Sequence, residues 1–215
     1  SAARRGFRTA YPVSQIALPL SVAASDRPVR IVVGEGNRAA VAALADPSDW
    51  PFRTAVLVGP SRSGKSLLAR WFMASGKGEA VDGADRWDET ALFHRWNRAQ
   101  EDGRPLLLVS DADGWRIDLP DLRSRLGGSL QLAIGAPDDA MAGELILAHA
   151  EQRGLQLPPS AADYLVPRLT RSYAAIERVV AEIDRLSLER KLPATMSVWR
   201  DALDAVEGPE QGRLL

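Results

Sequence analysis

The chain has 215 residues, which is enough for one domain with a core, or for one domain and a small appended one. Its 27 basic and 28 acidic residues give a net charge of −1, so the sequence offers no overall positive field for nucleic acid or an anionic membrane. Because cysteine is absent, disulfides, thiolate zinc sites and cysteine nucleophiles are excluded. No apolar run has the length of a membrane helix, and these features together favour a cytoplasmic protein.

Residues 1–28 predict an irregular arm, because three prolines interrupt this stretch. Within it lies the hexapeptide "QIALPL", residues 15–20, which has three large aliphatic side chains where little local structure can bury them. Those side chains either pack on the domain that follows or are presented to a partner.

Residues 29–137 predict an α/β domain. Apolar runs of strand length, the second of them weak, occur at 54–59, 78–85, 105–113 and 130–137. Helical patterns separate these runs, which is typical of a three-layer domain with a parallel sheet. From residue 138 to residue 215 only helical patterns follow, so the sequence predicts a second, all-helical domain beginning after Pro137.

The segment "GPSRSGKS" matches the phosphate-loop pattern of glycine, four residues, then Gly-Lys and Ser or Thr. Its position between a predicted buried strand and a predicted helix is the one that the motif requires. Lys65 would supply charge to the β and γ phosphates, and Ser66 would offer its hydroxyl to Mg²⁺. The predicted nucleotide-binding residues here are Gly59, Pro60, Ser61, Arg62, Ser63, Gly64, Lys65, Ser66 and Leu67.

Hydrolysis would require an acidic residue that holds Mg²⁺ at the end of a neighbouring strand. On apolar character alone, "LLLVSDAD" is the better strand, with Asp111 as the carboxylate. The shorter "AVDGAD" offers Asp82 instead, and the residues alone leave both alternatives open.

Several segments resemble the DnaA-related AAA+ proteins of the Hda type, which regulate the bacterial replication initiator. They are "IVVGEGNRAA", "FRTAVLVGP", the phosphate loop, "LFHRWNRA" and "LPDLRSRL", in this order from about residue 13 to residue 207. The resemblance implies an AAA+ phosphate-loop NTPase domain followed by a small helical lid. It also implies an adenine nucleotide, ADP or ATP, bound with Mg²⁺.

The resemblance further implies that Asp82, with Ser66, is the magnesium ligand, and that "LLLVSDAD" is the sensor strand, with Ser110 or Asp111 near the γ-phosphate. Asp111 is equally suited to be a carboxylate in the turn that ends this strand. Gly83 stands where active relatives carry a second acid, and Ala174 stands where the lid usually carries an arginine. We therefore expect the chain's own ATP hydrolysis to be slow or absent.

In "LPDLRSRL", Arg125 matches the arginine finger of the family, with Arg123 as its neighbour. A guanidinium is always charged and can bridge phosphate oxygens, so such a finger would act in trans on ATP held by the partner. The stretch "VVGEGN" matches the segment beside the adenine, with Val33 and Asn37 as the predicted contacts. Asn37 is equally suited to cap the helix that follows it.

"QIALPL" resembles the short peptide by which proteins of the Hda type bind the β subunit of the bacterial sliding clamp. Leu18 and Leu20 would anchor in an apolar pocket, and Pro19 would lower the cost of ordering the peptide. Gln15 would fix its register, and Ile16 completes the predicted set. In the free protein the peptide can fold back or pair with another copy of the chain.

Two functions follow from these patterns. The preferred one is an adaptor that docks on the clamp and stimulates ATP hydrolysis by DnaA through Arg125, without direct sequence-specific nucleic-acid binding or a membrane partner. The alternative is a stand-alone AAA+ ATPase, such as a helicase loader or motor subunit, that uses its own Asp82 or Asp111. The oligomeric state stays open, because a finger acts across a subunit contact but does not require a ring.

Overall fold

The computed structural model describes residues 14–17, 30–111 and 114–208. The strands are β1 (Ser14–Ala17), β2 (Arg30–Val33), β3 (Thr54–Val58), β4 (Glu79–Val81), β5 (Leu106–Val109) and β6 (Leu130–Ala133). The helices of the first domain are α1 (Arg38–Ala45), α2 (Lys65–Ala74), α3 (Glu89–Glu101) and α4 (Pro120–Gly127). The helices that follow are α5 (Asp139–Arg153), α6 (Pro159–Leu165), α7 (Tyr173–Arg190) and α8 (Met196–Glu207).

The main sheet has four parallel strands in the order β4-β5-β3-β6, which confirms the predicted parallel α/β architecture. Every side chain of β5 is fully buried, because helices cover both faces of the sheet. Leu107 and Val109 pack on the face that carries α2, whereas Leu106 and Leu108 pack on the face that carries α3 and α4. The strand that leads into the phosphate loop, β3, therefore lies between β5 and β6 in the middle of a closed core.

Part of the predicted irregular arm is a strand. Ser14–Ala17 forms β1 and pairs antiparallel with β2, with Gln15 opposite Val32 and Ile16 opposite Ile31. Ile16 is half-buried and packs against the core on the α2 side of the sheet. The prediction of an irregular arm was wrong here, because the arm contributes backbone hydrogen bonds to an edge that β2 would otherwise expose. Leu18, Pro19 and Leu20 lie outside the described residues.

The helices α5 to α8 pack around a core of their own. Ser172 caps α7 by accepting from the backbone N–H of Ala175 at 3.1 Å, and Gly154 ends α5 in a left-handed conformation with a φ of 72°. Both ends agree with the sequence patterns, since Ser favours the N-cap position and Gly the position that follows a helix. None of the helices in the described ranges has the length and apolar character needed to cross a membrane.

Two side chains seat the helical domain on the sheet domain. Met141 of α5 and Tyr173 of α7 are almost fully buried and belong to the core of the α/β domain. The Tyr173 hydroxyl donates to the carbonyl oxygen of Gly135 at 3.0 Å. Gly34 leaves room for the Met141 side chain, because a Cβ on Gly34 would lie 2.7 Å from the Cβ of Met141. The junction is therefore fixed by packing together with one buried hydrogen bond.

We expect Tyr173→Phe to lower the free energy of unfolding by about 1 kcal/mol, because the Gly135 carbonyl would lose its partner. Burial raises the pKa of Tyr173 to about 12, so the hydroxyl remains a donor across the working pH range. Urea denaturation measures the change. The matched control is Tyr164→Phe, which removes a phenol hydroxyl from the helical domain and leaves the Tyr173 bond intact. Equal effects of the two substitutions would contradict a specific role for this bond.

Candidate nucleotide site

The phosphate-loop residues 59–64 turn between the carboxyl end of β3 and the first turn of α2. Arg62 has a φ of 65° and Gly64 a φ of 88°, so two residues of this short loop adopt the left-handed conformation. That conformation is unfavourable for arginine, whereas glycine adopts it readily. The turn directs backbone N–H groups, with the N-terminus of α2, at the point where a phosphate would bind.

Lys65 is only 4% exposed and is held inside the loop. Its Nζ donates to the carbonyl oxygens of Gly59 at 2.8 Å and of Pro60 at 2.9 Å. It also lies 3.1 Å from Oδ1 of Asp111, which follows β5. Ser66 is exposed at the start of α2, as a hydroxyl ligand of a bound metal would need to be.

Ser63 supplies an indication that the loop is built for a ligand. Its Oγ is buried and has no hydrogen-bond partner within the described residues. A buried hydroxyl without a partner costs free energy, so such groups usually have a partner when the site is filled. Together with the charge of Lys65 and the N-terminus of α2, this hydroxyl fits a phosphate group.

Asp111 and Asp82 follow neighbouring strands, and the structure separates their surroundings. The Asp111 carboxylate pairs with Arg86 at 2.9 Å as well as with Lys65, and its backbone N–H donates to Oδ1 of Asp85 at 3.1 Å. The hydrogen bond from Arg86, and then the one from Lys65, hold the pKa of Asp111 below its usual value. Asp82 is exposed at the end of β4, one strand further from the loop.

The described residues contain no group of three or more His, Cys, Asp or Glu side chains that could hold a metal ion. Magnesium needs no such cage, because it commonly binds one or two protein ligands together with nucleotide phosphates and waters. Ser66 with Asp82, or Ser66 with Asp111, is chemically suited to that role.

A pocket opens beside the phosphate loop, between β2, α2 and the lid helix α5. Its walls are mostly apolar, with a few polar groups, as is typical of pockets for a nucleotide base. It is lined by Arg30, Ile31, Val32, Asn37, Arg62, Ser63, Gly64, Leu67, Leu68, Met141, Leu145, Ala148, His149, Gln152 and Tyr173. Asn37 and Leu67 of the predicted set line this pocket, whereas Val33 is buried beside it and is not among the lining residues.

The helix-capping interpretation of Asn37 was wrong. Its side chain makes no cap hydrogen bond to α1. Instead its Oδ1 accepts from the backbone N–H of Gly34 at 3.0 Å, and its Nδ2 donates to the carbonyl oxygen of Val32 at 2.9 Å. Asn37 is buried, so these two bonds fix the loop after β2, which forms one wall of the pocket.

The lid presents a carboxylate to the phosphate loop. Ala174 stands where the family resemblance led us to expect an arginine, and Glu177, one turn further along α7, lies 3.4 Å from the Arg62 guanidinium. His149 of α5 lines the same pocket. Burial lowers the pKa of His149, and Arg153 lowers it further while Glu177 opposes the change.

The predicted finger, Arg125, lies on α4 and stacks on two aromatic rings of α3. Its Cζ is 4.4 Å from the ring centre of Trp96 and 5.2 Å from that of Phe93. Such cation–π contacts orient a guanidinium without neutralising it. Arg123 is exposed on the same helix and lines a separate cleft with Trp115.

Sequence reasoning missed Arg86, His149, Glu177 and Tyr173 as residues of this site. Arg86 and Glu177 belong to helical turns without a motif, and each acquires its role through a partner distant in sequence. His149 could have been found from helical spacing, because Met141, Leu145 and His149 recur every fourth residue on one face of α5. For Tyr173 no signal in the sequence distinguished it from any other core aromatic.

Comparison with known proteins places the helical domain in a family. Residues 139–203 match the family model described as Hda, lid domain. A segment of 129 residues is 31% identical to an uncharacterized protein of Haemophilus influenzae, covering 59% of this chain and 55% of that protein. The chain thus spans about half the length of this curated relative.

Solved structures with the same fold include two DnaA proteins and a motor protein. Domain III of the Thermotoga maritima replication initiation protein DnaA has a TM-score of 0.69 at 15% identity, over 83% of this chain and 95% of that domain. AMPPCP-bound DnaA from Aquifex aeolicus has a TM-score of 0.56 at 21% identity, over 75% of this chain and 66% of that one. The Thermotoga maritima RuvB Holliday junction branch migration motor has a TM-score of 0.52 at 17% identity, over 74% and 64%.

The parallel sheet, the phosphate loop and the four-helix lid define an AAA+ nucleotide-binding fold. At these identities the solved structures show the fold alone. The family match concerns residues 139–203, which resemble the Hda lid domain, and the chain as a whole has the fold of domain III of DnaA.

We expect His149 to make folding stability depend on pH. Because burial lowers its pKa in the folded state, the unfolded chain binds this proton more readily, so stability falls as the pH drops through the ordinary histidine value. In His149→Gln this part of the decline disappears, which urea denaturation between about pH 7.5 and pH 5.5 would measure. Exposed His94→Gln is the control for loss of a histidine, and an unchanged decline in His149→Gln would contradict the assignment.

Proposed function

We propose that this protein is a regulator of replication initiation that binds an adenine nucleotide, docks on the sliding clamp and stimulates ATP hydrolysis by DnaA. One observation carries the proposal. A lid of the Hda family stands on a DnaA-like AAA+ domain that keeps its phosphate loop but has Gly83 and Ala174 at the two positions associated with hydrolysis. Such a domain is suited to hold a nucleotide and act on a partner.

Nucleotide binding is supported by the loop and the pocket. The partnerless Ser63 hydroxyl, the buried Lys65 amine and the N-terminus of α2 converge where phosphates would lie. The pocket beside them is enclosed by β2 and by α5, so a bound base would contact both domains of the chain. ADP is the preferred ligand, with Mg²⁺ held between Ser66 and Asp82 or Asp111.

Weak hydrolysis by the chain itself is supported by the charges around the loop. The lid offers Glu177 rather than an arginine, and Arg62 is already paired with it. Asp111 is engaged with two cations and is not poised to orient a water. At position 174 of the described lid, alanine stands where a cation could stabilise charge on a leaving phosphate.

For the finger we propose Arg125, on the strength of its position in "LPDLRSRL" and of its stacking. The rings of Trp96 and Phe93 hold the guanidinium in one orientation, and pre-orientation lowers the entropy lost when it contacts a phosphate. Arg123 lies two residues away on the same helix and is exposed, so it is suited as a control for the effect of removing an arginine from α4.

Clamp docking is proposed through Gln15, Ile16, Leu18, Pro19 and Leu20. In the structure Gln15 and Ile16 belong to β1, whose backbone pairs along one edge with β2. A peptide that binds the clamp in an extended form has to leave this strand or be held at its end. The interaction with the clamp thus competes with β1–β2 pairing, and a second copy of the chain could supply the same edge.

Replacement of Arg125 tests the proposed arginine finger. We expect Arg125→Ala to reduce stimulation of DnaA-bound ATP hydrolysis on the order of a thousandfold, because the transition-state charge loses its guanidinium. Single-turnover hydrolysis in the presence of clamp and DNA measures this. Arg123→Ala is the matched control and should retain stimulation, and a fully active Arg125→Ala protein would show that another residue acts. Brisk turnover by the parent alone, lost in Asp82→Ala or Asp111→Ala, would instead favour a stand-alone ATPase.

A disulfide between β1 and β2 tests whether the clamp peptide has to leave β2. Because the chain has no cysteine, Ser14→Cys with Val33→Cys introduces a single pair at directly opposed positions of β1 and β2. We expect the oxidised protein to bind the clamp more weakly, since the peptide stays on β2, and reduction to restore the affinity. The reduced protein is the matched control. Equal affinities in the two redox states would show that clamp binding does not require release of β1.

A further inference from the structure

Arg86 is a cation at the candidate phosphate site that no motif assigns. It closes the single helical turn Ala84–Arg86 after β4, and its Nη1 lies 2.9 Å from Oδ2 of Asp111. The other oxygen of the same carboxylate lies 3.1 Å from Nζ of Lys65. One carboxylate therefore bridges the phosphate-loop lysine and an arginine from the neighbouring strand.

Gly83 is what admits Arg86 to this position. Gly83 has a φ of 67°, and a Cβ there would lie 2.1 Å from Nη2 and 2.6 Å from Cζ of Arg86. A side chain at residue 83 would therefore require the guanidinium to shift, and the left-handed conformation of this residue also favours glycine. Gly83 and the observed position of Arg86 are thus compatible with each other.

The lid contributes a carboxylate to the same surroundings. Ala174 carries no charge, and Glu177 engages Arg62 of the phosphate loop. The cation closest to Asp111, apart from Lys65, thus comes from the turn after β4, at Arg86. Among the described residues around the loop, Lys65 and Arg86 share Asp111 as their carboxylate partner.

We propose that Arg86 is the second phosphate-binding cation of this nucleotide site, and that Asp111 competes with the terminal phosphate for Arg86 and Lys65. The proposal rests on the nucleotide binding proposed above. A guanidinium binds phosphate oxygens and carboxylate oxygens in the same forked geometry, so the two acceptors exclude each other. The γ-phosphate of a triphosphate would approach Lys65 and Arg86 where the Asp111 carboxylate now contacts them. A diphosphate is shorter and would leave both ion pairs of Asp111 intact.

The charge state of Asp111 agrees with this role. Its pKa is lowered by Arg86 first and by Lys65 second, so the carboxylate is ionised throughout the range in which the protein works. The hydrogen bond with Asp111 is the main cause that raises the pKa of Arg86, and the charges of Asp85 and Asp82 add to the rise. A γ-phosphate would have to displace an ionised carboxylate, and repulsion between the two anions opposes the displacement.

Nucleotide titration of four variants tests the proposal. Isothermal titration with ADP and with ATP, both with excess Mg²⁺, would compare the parent with Arg86→Ala, Arg86→Lys, Asp111→Asn and Arg104→Ala. Arg104 is the matched control, because it is 64% exposed against 65% for Arg86 and pairs with a carboxylate, Glu79, at the same 2.9 Å. It lies next to the amino end of β5, away from the phosphate loop.

We expect Asp111→Asn to tighten ATP binding by about tenfold relative to ADP, because the competing charge is gone. Arg86→Ala should weaken ATP binding by about tenfold and leave ADP binding close to that of the parent, because only the triphosphate takes Arg86 from Asp111. Arg86→Lys should recover part of the loss, since a cation returns without the fork. Thermal unfolding of each variant shows that the protein remains folded.

Two results would overturn the proposal. One is an Arg86→Ala protein that binds ATP as tightly as Arg104→Ala does. The other is an Asp111→Asn protein in which the ratio of ATP affinity to ADP affinity is that of the parent. A parent that binds neither nucleotide would overturn the nucleotide site itself, which separates failure of the proposed function from failure of this assignment.

Discussion

Parallel pairing of β3 with β5 is the constraint on which the candidate site depends. Because the two strands run side by side in the same direction, their carboxyl ends lie at one edge of the sheet. The phosphate loop leaves from one strand and Asp111 from the other, so the contact between Lys65 and Asp111 follows from the strand order. Full burial of β5 holds this register, since a shift by one residue would turn its leucines towards the wrong layers.

Charges at this edge are redistributed relative to what the hydrolytic reaction needs. The turn after β4 supplies Arg86, for which Gly83 leaves space, and the lid supplies Glu177. Both charged side chains have a partner of opposite charge: Arg86 pairs with Asp111, and Glu177 pairs with Arg62. The candidate site is therefore a set of paired charged groups contributed by the phosphate loop, the turns after β4 and β5, and the lid.

The sequence predicted the features that depend on local pattern. The buried strands, the phosphate loop between β3 and α2, and the helical domain follow from apolar spacing, glycine placement and capping residues such as Ser172. It could not predict contacts between elements that are distant in sequence, such as Arg86 with Asp111 or Arg62 with Glu177. Nor could it predict that Ser14–Ala17 pairs with β2, because a short arm interrupted by prolines carries no local strand signal, and only a partner edge makes it a strand. Asn37 was misjudged because its side chain bonds the backbone of Val32 and Gly34, which precede it, and not the first turn of the helix it was expected to cap.

Strand β2 is four residues long and contacts both β1 and the pocket beside the phosphate loop. Its backbone pairs with the start of the arm, while Ile31 and Val32 also line the pocket beside the phosphate loop. No residue separates the two surfaces, so a change in the twist of this strand reaches both. Substitutions in β2 that keep its hydrophobic character are thus constrained by the arm on one side and by the pocket on the other. The evolutionary freedom of these four positions should be smaller than their burial alone would suggest.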